Sequence, residues 1–244
     1  MISILYLTCN RLASTRITLP TLLDSDPDMD YKVYIHDNGS KDGTQDYLKS
    51  LSHPKIAAIK YSETNLGISP VTNNFWATIN TPYVGKIDND ILVPKGWVKE
   101  VMLRLSNPQK DKIGPITLYH WIEEWLVDFN PKKASIIETA NGSRFVRSTH
   151  TGGNYIMHRY LVDMLGPIPT HEGLKGGFTT WQYAKTKTDI RCGYVYPFKC
   201  FDQPAVNQLW EQYKAKTLIK HKCDIMDQER HWAKILLEMK DSFK

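Results

Sequence analysis

Four short apolar runs, each ending in polar residues and each followed by a segment of helical spacing, fill residues 2–105. They are ISILYL (2–7), KVYIHD (32–37), KIAAIKY (55–61) and YVGKI (83–87). Runs this short, rich in β-branched and aromatic residues, predict buried strands. Between them lie RLASTRITLPTLL (11–23), QDYLKSL (45–51) and SPVTNNFWATI (69–79). Pro20 is expected to kink or shorten the first of these helices, and Thr44 to cap the second. Pro94 suits the first turn of a fourth helix that reaches Leu105. The order β-α-β-α-β-α-β leaves no room for hairpins, so it predicts a parallel sheet with helices on both faces. Sheets of that kind collect ligands beyond the carboxyl ends of their strands, where strand order reverses. The polar residues fall there in register: Thr8, Asn10 and Arg11, then Asp37, then Asn65, then Asp88 and Asp90.

After residue 107 the pattern loosens. IGPITLY (113–119) reads as a strand, and residues 120–150 are polar and aromatic with no clear period. GGNYIMHRYLVDML (152–165) predicts a strand feeding a helix, FTTWQYAKTKT (178–188) a helix, and CGYVYP (192–197) a strand. From residue 206 onward, aromatic and apolar stripes among lysines predict helix. No internal repeat or linker divides the chain, so residues 1–244 are expected to form a single domain.

Charge narrows the partners. The net charge of +5 suits an anionic ligand or an anionic membrane surface. It is too mild for nucleic acid, and no basic stripe is interleaved with aromatics. Cys9, Cys192, Cys200 and Cys223 show no C-x-x-C spacing and read as isolated thiols in a reducing compartment. The start MISILYLTCNR lacks a cationic segment and a cleavage site. No run approaches the roughly 18 apolar residues of a membrane span. A cytoplasmic location is therefore expected, with peripheral contact at the inner face of a membrane open to the basic tail. Asn38-Gly-Ser and Asn141-Gly-Ser match a glycosylation sequon and read as turns.

The stretch GKIDNDILVP (85–94) places Asp88 and Asp90 on either side of Asn89. Two apart on an extended backbone, the acids project to the same side. Taken alone they read first as a polar turn. Carboxylates at a strand end also suit a hard divalent ion, which prefers oxygen ligands and keeps positions open for substrate.

The ordered set ISILYLTCNR, VYIHDNGSKDGTQDYL, NLGISPVTNNFWA and YVGKIDNDILVPKGW resembles the family 2 glycosyltransferases with the GT-A fold. The likeness covers residues 2–105 and persists beyond them only in GGNYIMHR, LGPI and CGYVYP. It implies an α/β fold with a mostly parallel sheet flanked by helices. Residues 1–106 would be the nucleotide-binding half, 107–205 an acceptor-side half, and 206–244 a helical extension. It further implies sugar transfer, with inversion, from a nucleoside-diphosphate sugar of UDP, dTDP or GDP type. The acceptor would be a hydroxyl of a glycan, a lipid-linked molecule or a small molecule, and the cofactor Mn²⁺ or Mg²⁺.

Site residues follow from the same likeness. Asp90 ligates the metal, and Asp88 contacts the ribose or a metal-bound water, so both count as metal-side residues and Asp88 also as catalytic. Asp37 accepts a hydrogen bond from the imide N–H of uracil or thymine, and its carboxylate would suit guanine too. Thr8 touches the base through its backbone, while Asn10, Arg11 and Asn89 face the nucleotide. Asn65, Gly67 and Asn73 line the nucleotide; Lys86, from its place beside the motif, either reaches the phosphates or is a strand-edge lysine. Gly152, Gly153 and Asn154 leave room for the sugar and acceptor, and Trp181 and Gln182 join that pocket, Trp181 as a stacking platform.

Two departures from the family pattern stand out. The acidic pair that normally supplies the general base falls on Trp181 and Gln182, neither of which is a base. Glu172, or else Asp189, would have to approach in its place, and Glu172 is preferred. A third metal ligand, usually a histidine after the last core strand, is replaced by Asp202, with His150 and His171 less placeable; His221-x-Cys223 hints at zinc but lacks a partner pair. Two other readings stay open. A nucleotidyltransferase would normally carry a Gly-rich loop after the first strand, and TCNRLASTR has no glycine. A non-catalytic sugar-nucleotide or glycan binder would be compatible with the missing acidic pair.

Overall fold

The run ISILYLT forms β1 (Ile2–Thr8), buried at every position. A strand so uniformly apolar belongs inside a sheet covered on both faces. The computed structural model describes residues 1–105, 112–117, 135–148, 154–169 and 190–196. Along them follow α1 (Leu12–Leu23), β2 (Tyr31–Asp37), α2 (Thr44–Lys49), β3 (Ile56–Tyr61), α3 (Ile68–Thr78), β4 (Tyr83–Asp88) and α4 (Trp97–Leu105). Then come β5 (Ile113–Thr117), β6 (Ile136–Glu138), β7 (Arg144–Arg147), β8 (Tyr155–His158), α5 (Tyr160–Leu165) and β9 (Arg191–Tyr196).

The described strands form one sheet in the order β3-β2-β1-β4-β8-β5-β9-β7-β6. β1 pairs in parallel with β2 and β4, and β2 in parallel with β3, as the helical crossovers require. The second half is mixed. β8 runs antiparallel to β4 and β5, β7 antiparallel to β6 and β9, while β5 and β9 are parallel. The chain steps outward from β1 to β3, then returns past β1 to β4. That reversal opens a crevice at the carboxyl ends of β1 and β4.

Alternation along the strands sends side chains to two cores. Ile4, Tyr6 and Ile87 pack with Leu19 and Leu22 of α1, Leu48 of α2, and Val98 and Val101 of α4. Leu5, Leu7 and Val84 pack with Val71, Phe75 and Trp76 of α3 and Leu161 of α5. Each such buried side chain contributes about 1.5–3 kcal/mol, so the first four strands are held firmly in register. Among the described residues no helix is long and apolar enough to cross a membrane.

Local expectations fail in instructive places. Pro20 lies inside α1, which continues to Leu23 with Asp24 N–H bonded to the Pro20 carbonyl. The carbonyl that a proline there deprives of its donor is that of Arg16, an exposed residue. α2 is preceded by Gly43 at φ 90°, and Thr44 is its first helical residue rather than its cap. The Asp42 carboxylate takes the Thr44 N–H instead, at 3.1 Å. α4 begins at Trp97, where Asp26 accepts the Val98 N–H at 2.8 Å. The hairpin of β6 and β7 went unread because strands of three and four residues are too short to show a period. The predicted helix at 178–188 and the extension at 206–244 lie outside the described residues.

At the amino end of β4, far along the strand from Asp88, His158 stands opposite Tyr83 with ring centroids 4.3 Å apart. Tyr160 packs on it at 5.4 Å, and His158 Nε2 is buried without a hydrogen-bond partner among the described residues. Burial lowers the pKa of this imidazole. The unfolded chain takes the proton near the ordinary value of about 6.5, the folded chain only at lower pH. Stability is therefore fully present above about pH 6.5 and declines as pH falls below it. Thermal unfolding between pH 7.5 and 5 is expected to show this slope, and His158→Phe to flatten it. His36, lowered by burial and by Lys60, leaves a residual slope in the same direction. Identical slopes in the two chains would refute the assignment.

Candidate active site

The loops that follow the first four strands are bound to one another before any ligand is considered. Asn10 and Arg11, after β1, both sit in the left-handed region at φ 57° and 63°. Asn10 N–H donates to Ser40 Oγ at 2.6 Å, and its side-chain oxygen accepts Lys41 N–H at 2.8 Å. Leu12 N–H donates to Asp42 Oδ2 at 2.8 Å. Burial alone would raise the Asp42 carboxyl, but donors from Thr44 and Leu12 hold it below its ordinary value. Asp42 thus orders the Gly-rich turn and clamps the start of α1 to it.

The third loop leans on the second. Gly39 has φ +82°, and a Cβ there would lie 2.6 Å from the Thr64 carbonyl carbon, a contact that only glycine avoids. Asn38 donates to Asn65 Oδ1 at 2.8 Å and accepts Leu66 N–H at 2.8 Å. Asn65 Oδ1 also accepts the N–H of Gly67, which turns the chain into α3 at φ 85°, ψ 162°. Asn73 is committed elsewhere: its carboxamide donates to the Ile168 carbonyl at 2.9 Å and accepts Ile168 N–H at 2.8 Å. It ties α3 to the segment after α5. The Thr8 carbonyl accepts Asn38 N–H at 2.7 Å, which joins the end of β1 to the loop after β2.

β4 ends at Asp88 and the chain turns there, with Ile91 N–H bonded to the Asp88 carbonyl at 3.2 Å, so Asn89 and Asp90 lie in a turn and not on the extended backbone expected of them. Asn89 is 6% exposed. Its amide nitrogen faces the Asn10 carbonyl at 2.9 Å, Thr8 Oγ1 at 3.0 Å and Thr15 Oγ1 at 3.1 Å. Its backbone carbonyl accepts the Thr18 hydroxyl at 3.0 Å, and Thr18 pairs in turn with the Tyr6 hydroxyl at 2.8 Å. Expected among the nucleotide contacts, Asn89 instead faces inward and joins the β4 loop to β1 and α1. A carboxamide suits that place because two N–H donors meet a ring of oxygens.

Each acid has its own cation. Arg11 Nη1 lies 2.6 Å from Asp90 Oδ2, with the two side chains 52% and 31% exposed. Lys86 Nζ bonds to Asp88 Oδ1 from a side chain only 4% exposed, beside Tyr155 of β8. The four groups sum to zero charge.

Asp37 is fully buried at the end of β2. Oδ1 accepts Ser40 N–H at 3.0 Å and Gln45 Nε2 at 2.9 Å. Oδ2 has no hydrogen-bond partner among the described residues. A buried carboxylate oxygen without a donor is costly unless a ligand supplies one. Cys9 lies close by: burial and then the Asp37 charge raise its thiol pKa, and Asn65 Nδ2 reaches its Sγ at 3.5 Å. Cys9 and Gln45 are additions that only the tertiary structure brings to this pocket.

Thr8, Asn10, Arg11, Asp37, Asn65, Gly67, Lys86, Asp88 and Asp90 thus surround the crevice at the strand ends. Asn154, 1% exposed, lies between β5 and β8, where its oxygens accept the Thr117 hydroxyl. Glu172, Gly152, Gly153, Trp181, Gln182 and Asp202 lie outside the described residues, as do Asp189, His150 and His171. Asp88 and Asp90, partly exposed hard-oxygen donors, fit a divalent ion, with further positions left to phosphate oxygens and water.

The family model described as glycosyl transferase family 2 matches residues 3–163. No curated protein sequence matches the chain. Among solved structures, the chain is similar to mannosyltransferase PcManGT from Pyrobaculum calidifontis in complex with GDP-Man and Mn²⁺. That match has a TM-score of 0.59 and 17% identity, covering 88% of this chain and 63% of that one. It is also similar to S. aureus TarS 1-349, with a TM-score of 0.57 and 16% identity, covering 98% of this chain and 70% of that one. The same TarS fragment in complex with UDP-GlcNAc matches with a TM-score of 0.58 and 16% identity, over 80% and 56% of the respective chains. The chain therefore spans less than two thirds of the mannosyltransferase.

Proposed function

The chain belongs to glycosyl transferase family 2 and has that family's GT-A fold, and on that premise we propose a metal-dependent transfer of sugar from a nucleoside-diphosphate sugar to an acceptor hydroxyl. The observation that carries the proposal is the partly exposed pair Asp88 and Asp90 at the strand-order reversal, held there by the inward Asn89. The similar structures with GDP-Man and Mn²⁺ and with UDP-GlcNAc support a nucleotide-sugar donor and a divalent ion.

Each residue then has a task. Asp37 Oδ2, buried and without a donor among the described residues, accepts an N–H from the base, which suits uracil, thymine or guanine. Asn65 and Gly67 form the wall that Asn38 braces. Lys86 fixes the direction of Asp88 toward the donor. When bound, a divalent ion held by Asp90, with Asp88 beside it and Asp202 as a third ligand, supplies Lewis-acid stabilisation of the charge that develops on the departing diphosphate. The proposal includes inversion at the anomeric carbon, with Glu172 taking the proton of the acceptor hydroxyl and Gly152, Gly153, Asn154, Trp181 and Gln182 shaping the sugar and acceptor side. A cytoplasmic or membrane-peripheral setting would suit an acceptor that is a glycan or lipid-linked.

Thermal unfolding of the chain with UDP, dTDP or GDP, with and without Mn²⁺, tests the reading. One diphosphate is expected to raise the midpoint only when Mn²⁺ is present, because a ligand at 100 times its Kd adds about 2.7 kcal/mol to the native state. The matching nucleotide sugar should then release free diphosphate. Donor binding that is unchanged by a chelator, without release of diphosphate, would instead establish a binder. Release of pyrophosphate from a nucleoside triphosphate would establish a nucleotidyltransferase.

A further inference from the structure

The two acids of the motif differ in how firmly their cations are placed. Lys86 rises from a central strand and meets Asp88 from a side chain only 4% exposed. Arg11 is half in solvent at 52% exposure, and its partner lies 79 residues away across the crevice. Its backbone is fixed, since Asn10 and Leu12 on either side are bonded to Ser40 and Asp42, and the Arg11 carbonyl accepts Thr15 N–H at 2.9 Å. Only the side chain can move. A guanidinium fork matches a carboxylate and a phosphate equally well.

Charge gives that freedom a consequence. With Arg11 on Asp90, the guanidinium already occupies the carboxylate that would hold the ion, so a divalent ion arriving alone must displace it. A diphosphate brings at least two negative charges and a new partner for Arg11. Resting on the glycosyltransferase reading above, we propose that Arg11 exchanges partners: it holds Asp90 while the crevice lacks nucleotide and passes to the diphosphate when a metal-bound nucleoside diphosphate enters. The motif then takes its metal together with the diphosphate, and Asp90 is released for the ion only as Arg11 leaves. Arg11 is a positioning residue in this scheme and needs no contact with the reacting carbon.

Binding measurements without turnover decide it. Mn²⁺ alone, and Mn²⁺ with UDP or with GDP, are titrated into the full chain, with free Mn²⁺ followed by electron paramagnetic resonance. Wild type is expected to bind Mn²⁺ weakly alone and far more tightly with one of the two diphosphates. In Arg11→Gln the affinity for Mn²⁺ alone should rise by about threefold to fivefold, since an exposed competing ion pair is gone. Its affinity for Mn²⁺ with the diphosphate should fall by about tenfold or more, since a charge-assisted contact is lost. Arg11→Lys, which keeps the charge at a backbone already settled, should leave Mn²⁺ alone as in wild type and still weaken the diphosphate complex. Shifts in the same direction for both ligands, or none, overturn the exchange while leaving the glycosyltransferase reading intact. A wild-type chain that binds neither diphosphate with Mn²⁺ overturns that reading itself.

Discussion

Asp90→Asn is expected to lower the release of nucleoside diphosphate from a donor sugar by about a thousandfold, roughly 4 kcal/mol of transition-state stabilisation. The substitution keeps the shape of the side chain and removes the charge that would hold a divalent ion against the diphosphate. It should leave the fold almost untouched. Asp90 is partly exposed, and its ion pair with Arg11 is of the surface kind that contributes at most about 1 kcal/mol. Asp88→Asn is a less clean probe, because it takes the carboxylate from Lys86, whose side chain is nearly sealed from water. Turnover with nucleotide sugar and Mn²⁺, measured beside thermal unfolding, checks the first claim. An Asp90→Asn chain that turns over within tenfold of wild type would remove the metal site from this motif.

Asn89→Leu should have the opposite profile, with stability falling first and activity following. Leucine nearly matches the carboxamide in size but donates nothing, so the Asn10 carbonyl and the hydroxyls of Thr8 and Thr15 lose a shared donor inside the fold. Leaving one or two of these groups unsatisfied costs about 2–4 kcal/mol. In a chain of this length that is a midpoint drop of the order of 10 °C. Both flanking acids are anchored through this residue, so the affinity for Mn²⁺ with nucleotide should also fall by about tenfold. The affinity loss should persist at low temperature, where the variant is folded, which separates a positioning defect from simple unfolding. A variant that melts with wild type would show the inward amide to be dispensable.

The Rossmann-like half of the molecule was legible because every strand there is an apolar run stopped by polar residues. A helix between strands forbids a hairpin, so parallel pairing followed from order alone. Beyond residue 107 that logic fails. Strands such as Ile136–Glu138 carry too few residues to alternate, and β8 turns out antiparallel to β4 without any local signal for its direction. The two acids are legible by position, at the polar end of an apolar run. Asn89 is turned inward by its contacts with Thr8, Asn10 and Thr15 in a turn beyond the strand, and three residues so alike in polarity do not announce which of them is inside.

Residue order alone determined the four strand ends, the helices between them and the gathering of Thr8, Asn10, Arg11, Asp37, Asn65, Asp88 and Asp90 at one edge. Those follow from local preferences and from the short-range geometry of β-α-β units. Tertiary structure decided the pairings: Arg11 with Asp90, Lys86 with Asp88, Asn73 with Ile168, and the oxygen of Asp37 that nothing in the described fold fills. A hydrogen bond or ion pair across 79 residues depends on how the strands are ordered and twisted, and no local pattern carries that information.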